Sequence, residues 1–172
     1  MKKHSFIILY SFLCLISGIL FSSLDIEPNY YGNYIPVYMK RADMEKAIKV
    51  ESPRNMSNPG KIYVYGNYIL INEKYKGIHV IDNSTPALPV PKAFLHIDGC
   101  IDMAMKNGIL YADNAIDLVA VKPNSDFTTI EVTGRIKEIF PEIQSPDGTW
   151  QNYQINEFRP KDGLLVAWKI KE

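Results

Sequence analysis

Gly60-Lys61-Ile62-Tyr63-Val64-Tyr65-Gly66-Asn67-Tyr68-Ile69-Leu70-Ile71-Asn72-Glu73-Lys74-Tyr75-Lys76-Gly77-Ile78-His79-Val80-Ile81-Asp82 decides the fold. Ile62 and Val64 alternate with Tyr63 and Tyr65, the period of a strand. Gly66-Asn67 is a tight-turn pair, since both residues tolerate positive φ. Tyr68 to Asn72 reads as the second strand and Ile78 to Ile81 as the third, with Lys74 to Gly77 turning the chain between them. Asp82-Asn83-Ser84-Thr85-Pro86 is a polar turn in which Asp82 or Asn83 can bond its own backbone two residues on. Ala93 to Ile97 is a fourth, outer strand. Four antiparallel strands in about 40 residues make a unit the size of one propeller blade.

The unit is used again. Ile69-Leu70 recurs as Ile109-Leu110, and Ile78-x-Val80-Ile81 as Leu118-x-Ala120-Val121, both at an offset of 40. Lys106-Asn107-Gly108 and Asp113-Asn114-Ala115 are its turns, Lys122-Pro123-Asn124-Ser125-Asp126 is the counterpart of the Asp82 turn, and Phe127 to Val132 is its outer strand. Leu164-Leu165-Val166-Ala167-Trp168-Lys169 echoes Leu118 to Lys122 and reads as a remnant third unit behind a long insertion. The expected class is all-β: an antiparallel β-repeat, partial β-propeller-like, with two clear blades plus a remnant third and one short N-terminal helix. That helix falls within Val37 to Val50, where Met44, Ala47 and Ile48 share a face.

Three regions follow. Residues 1–23 carry a basic start, Lys2-Lys3, and an apolar run from Phe6 to Phe21, the layout of a signal peptide or an N-terminal membrane anchor. Residues 24–59 read as a linker arm with the short helix, and residues 60–172 as the repeat domain. Cys14 lies in the leader behind the bulky pair Phe12-Leu13, which does not suit lipid attachment. Cys100 reads as a small core residue.

Composition excludes some functions. Of 172 residues, 47% are hydrophobic and 22% charged, and nineteen basic residues balance nineteen acidic ones. Net charge therefore draws the chain neither to nucleic acid nor to an anionic membrane, leaving the N-terminal segment as the only membrane contact. The excess of Tyr, 11 in all, suits strands. No Ser/His/Asp arrangement, Gly-rich phosphate loop or HExxH motif is present, and no cofactor is implied.

The candidate contacts are few. Tyr75, Trp150 and Tyr153 sit in turns or in the insertion, where aromatic side chains can meet a protein or a glycan. Asp98, Asp102, Asp113 and Asp117 recur near strand ends. Gathered on one rim, they would bind calcium or act as an acid/base pair, although Asp is also a common turn former. His79, His96 and Cys100 lack the spacing and the fourth ligand of a closed zinc site.

Gly66-Asn67-Tyr68-Ile69-Leu70-Ile71, then Gly77-Ile78-His79-Val80-Ile81-Asp82-Asn83-Ser84 with Pro86 and Pro89, resemble the LVIVD-repeat proteins of bacterial envelopes. Ile109-Leu110-Tyr111-Ala112-Asp113 and Asp117-Leu118-Val119-Ala120-Val121 carry the resemblance into the second unit, so that it spans residues 60 to about 126. Lys61 through Phe140 also resembles secreted or lipid-anchored proteins of Bacteroidetes-type bacteria. The resemblance implies propeller-like sheets and an exported location, in the periplasm, at the outer membrane or on the cell surface. It implies no activity. Known propellers need about four to eight blades, so two repeats leave a ring open, truncated or completed by a homo-oligomer.

The expected function is a non-enzymatic binding or scaffold module at the envelope, with a protein or glycan as partner. The alternatives are a calcium-stabilised structural domain and an envelope enzyme whose site is completed by oligomerisation.

Overall fold

A computed structural model describes residues 32–150 and 152–172, so the expected leader, Cys14 and the start of the arm lie outside the described residues. The described chain is mostly antiparallel β, arranged in three open sheets.

Strands β3 (Pro59–Tyr65), β4 (Tyr68–Glu73), β5 (Gly77–Asp82) and β6 (Val90–His96) form a meander in chain order. A short strand β2 (Lys49–Glu51) extends it beyond β6. A second meander is built from β7 (Met103–Lys106), β8 (Ile109–Asn114), β9 (Asp117–Pro123) and β10 (Ile130–Ile136). The first hairpin of each turns through two residues. Gly66 has φ 55°, while in the second meander Asn107 (51°) and Gly108 (77°) are both positive. The first turn thus has the φ pattern of a II′ hairpin and the second that of I′.

The third sheet corrects two readings. β1 (Tyr34–Lys40) runs antiparallel to β11 (Gly163–Ile170), from Tyr34 opposite Ile170 to Lys40 opposite Gly163. The distal arm is therefore a strand, and Leu164 to Lys169 belongs to a two-stranded ribbon rather than to a third meander. The helical segment shrinks to α1 (Arg41–Lys46), whose Met44 is buried. Val37 and Met39 alternate along β1, and the ladder to β11 claims them before a longer helix can form. Within the insertion, α2 (Asn152–Glu157) is a further short helix.

The ribbon lies across one end of both meanders. Met44, Ala115 of the β8–β9 turn and Val166 pack together, as do Trp150, Trp168, Leu165, Ile155 and Ile143, with Tyr75 of the β4–β5 turn and Ile101 against them. The meanders share the main core. Leu70, Ile78, Val80 and Leu95 of one pack with Met103, Met105, Leu110, Ala112, Val119 and Val121 of the other.

The register shows which faces meet. Tyr65 and Tyr68 close the first hairpin, and Lys106 and Ile109 close the second. Residues closing a two-residue turn point to a fixed side of an L-chain, and alternation then assigns every other residue. In the first meander the core side is the side of the closing pair, with Tyr63 opposite Leu70. In the second it is the other side, with Met105 opposite Leu110. The two copies therefore stack with opposite faces in contact. Matched on their ladders, the copies are offset by 41 over the first two strands and by 40 over the third, because Lys74-Tyr75-Lys76 is one residue longer than Ala115-Ile116. The sequence match of Leu70 with Leu110 is thus one residue out, although both reach the same core.

Candidate functional site

A cleft of about 920 Å³ opens between the β4–β5 turn and the ribbon, lined by Tyr34, Lys74, Tyr75, Asp98, Trp168 and Lys169 among others. Its floor is rigid. The Tyr75 amide donates to the Cys100 carbonyl (2.8 Å), and the Tyr75 carbonyl accepts from Gly99 (2.9 Å). These bonds hold Tyr75 at φ 70°, a conformation a bulky residue keeps only when its surroundings impose it. Burial, followed by the nearby Tyr34 ring, raises the pKa of the Tyr75 phenol. It stays neutral at pH 7.

The turn is fixed from beneath by a buried carboxylate. Glu73, 1% exposed, accepts from the Ser57 hydroxyl (2.6 Å) and amide and from the Asn58 amide (2.8 Å). His79 Nε2 lies 3.2 Å from its other oxygen. Burial alone would raise the Glu73 pKa, but the Ser57, Asn58 and His79 hydrogen bonds outweigh it and bring it down to about 2. Asn72, fully buried, donates to the Gly77 and Cys100 carbonyls at 3.1 and 3.2 Å. Burial pushes the Cys100 thiol up, with the Asp113 carboxylate adding to it, which favours the protonated thiol of a core residue.

Tyr75, Trp150 and Tyr153 do not form one surface. Tyr75 is half-buried at the cleft. Trp150 is a core residue whose indole N–H donates to the Tyr34 carbonyl (3.0 Å), so it presents no contact surface. The insertion folds inward there because Trp150 packs on Trp168 and Phe158. Tyr153 is 69% exposed on α2, away from the cleft lining.

Of the four aspartates, only Asp102 and Asp113 come together. Asp98 faces the cleft and meets His96 (3.1 Å). Asp102 pairs with Lys61, and its amide donates to Asp113 (3.1 Å) in a separate pocket of about 300 Å³. Burial above all holds Asp113 above the usual carboxylate range, and the Asp102 charge adds to this. Asp117, 0% exposed, accepts from Arg41 (2.6 Å), Arg135 (2.8 Å) and the Glu138 amide (3.0 Å). Burial opposes its charge, and those three donors together hold its pKa low. Asp117 is a structural tie with no open coordination site. Among the described residues, no three His, Cys, Asp or Glu side chains converge as metal ligands.

The sequence reading passed over Glu73 and the lysines around Tyr75. A signal was present: Asn72-Glu73 closes an otherwise apolar strand, and a charge at that place needs internal donors. No described helix is long and apolar enough to cross a membrane. No family model, curated protein or solved structure matches the chain.

Proposed function

We propose that the chain is an exported, non-enzymatic binding module of LVIVD-repeat type, with its two meanders stacked as successive propeller-like blades. The stacking of opposite faces supports the blade reading, because blades related by rotation meet front to back. The repeat residues around Gly66 and Gly77 and the apolar run of the leader support an envelope location.

The binding site is the cleft beside Tyr75. One observation carries this reading: the rigid aromatic floor of a 920 Å³ opening, with Lys74, Lys76 and Lys169 at its edge. Clefts of this size suit ligands that bury most of their surface. Aromatic rings against sugar faces, with ammonium groups for carboxylates, fit an acidic glycan. Calorimetric titration with oligogalacturonate, and with a neutral malto-oligosaccharide for comparison, tests this. Saturable binding of the acidic chain alone is expected, weakened at least tenfold in Tyr75→Ala and in Lys169→Glu. Binding that is absent, or unchanged in both variants, refutes it.

A further inference from the structure

Among the described residues, the stacking of the two meanders leaves one face of each only partly covered, and those faces are the two that stacking would next bring together. In the second meander, the residues buried against the first are Met103, Met105, Leu110, Ala112, Val119 and Val121. Their ladder equivalents in the first meander are Ile62, Val64, Ile69, Ile71, His79 and Ile81. Five of these six are aliphatic, yet Ile62 is 67% and Val64 66% exposed, and Ile69, Ile71 and Ile81 are only partly covered.

Part of this face has a cover. Arg54 lies 3.4 Å from the centroid of the Phe94 ring, and Ser57 and Asn58 are tied to Glu73. That strap shields the β5–β6 side, where His79 and Phe94 are buried. Nothing among the described residues shields the β3–β4 side. Bare Ile and Val on an edge strand are costly in a monomer, because they invite pairing.

The other partly covered face belongs to the second meander. Ala104 is exposed opposite half-buried Tyr111, and Ala120, also half-buried, follows Tyr111 on the next strand. Small side chains flank one aromatic ring here, a shallow surface that accepts large aliphatic side chains. Its equivalents in the first meander, Tyr63, Leu70 and Val80, are the residues that receive Met105, Leu110 and Val121 inside the chain.

We infer that the Ile62–Val64 face docks on the Ala104–Tyr111–Ala120 face of a second copy of this chain, repeating between molecules the packing already present within one. The contact is heterologous, head to tail, so it builds a closed ring or an open stack according to the rotation per copy. The inference rests on the blade reading and is independent of the cleft.

The test uses the full chain in sedimentation velocity, with circular dichroism as the check on folding. Ile62→Lys/Val64→Lys blocks one face and Ala104→Lys the other; all three positions are exposed, so the fold is retained. Wild type is expected to sediment as a multiple of the chain mass, each variant alone as a monomer, and their mixture as a one-to-one dimer through the single intact contact. A monomeric wild type overturns the inference. An Ala104→Lys chain that still dimerises overturns it too, since that marks a symmetric contact between two Ile62 faces. Tyr75→Ala is expected to leave the assembly unchanged, so loss of glycan binding and loss of assembly are read separately.

Discussion

The two meanders bury one carboxylate each at the same end, but they place it on opposite sides of the turn. In the first, Glu73 ends β4 and Gly77 begins β5; in the second, Asn114 ends β8 and Asp117 begins β9. Glu73 gathers mostly neutral donors, the hydroxyl and amides of a surface strap, with His79 beside them. Asp117 gathers two guanidiniums, one from α1 and one from β10, with an amide as a third donor. The first turn thus carries Tyr75 into a cleft, while the second is locked between neighbouring elements. Similar strands have produced one turn that presents a surface and one that holds the molecule together.

Breaking the second turn is expected to have the largest effect. Asp117→Ala leaves Arg41 and Arg135 facing each other, the latter side chain only 12% exposed. Removing one partner of a buried ion cluster costs about 3–5 kcal/mol, read as a fall in the urea midpoint at unchanged slope. Asp117→Asn, which keeps the shape and loses the charge, should recover only part of it.

Gly77→Ala comes next. Gly77 has φ 139°, and a Cβ there would lie 2.0 Å from the Leu95 carbonyl oxygen and 2.9 Å from the Ile97 amide. The Leu95 carbonyl belongs to the paired strand β6 and cannot retreat, so a loss of about 3 kcal/mol is expected by thermal melting. The same position in the second meander carries Asp117, which follows a turn one residue shorter and lies outside the positive-φ residues.

Glu73 separates the turns by pH. Its pKa is held at about 2 in the folded chain, against an ordinary 4.5. A depressed folded value means the stabilisation is complete above pH 4.5 and is lost as pH falls towards 2. By linkage this share is about 3 kcal/mol. Glu73→Gln should cost about 2 kcal/mol at pH 7, since some strap bonds survive on the amide oxygen, and should flatten stability against pH over that window. Asp117 also has a lowered pKa, so a residual slope remains; a slope unchanged from wild type would show that Glu73 does not anchor the strap.

Strands and turns were legible in the sequence because alternation and Gly or Asn punctuation are local signals. Gly66, Asn107 and Gly108 turn where those residue types predict. The pairing of Tyr34–Lys40 with Gly163–Ile170 was not legible, since nothing within either segment names a partner more than a hundred residues away. The site was read less well than the fold. Tyr75 reaches a cleft as its place in a turn suggested, but Trp150 looked like a loop aromatic and is core. The aspartates looked like one rim because they recur near strand ends. Spacing along a chain does not say which side of a turn a carboxylate falls on, and Asp102 with Asp113 and Asp117 end in different surroundings for that reason.

The smallest effect concerns the hairpin turns, where the copies also differ. Gly66 sits at φ 55° with open space around the position of a Cβ, so Gly66→Ala meets no clash and costs only the left-handed conformation, about 1 kcal/mol. Gly66→Asn should cost less, because the side chain of Asn can hydrogen-bond locally in that region, as Asn107 demonstrates at φ 51° in the second copy. The two variants compared by urea denaturation isolate the backbone term. If Ala and Asn prove equally costly, the difference between the two hairpins lies in strand twist and not in the residue at the turn.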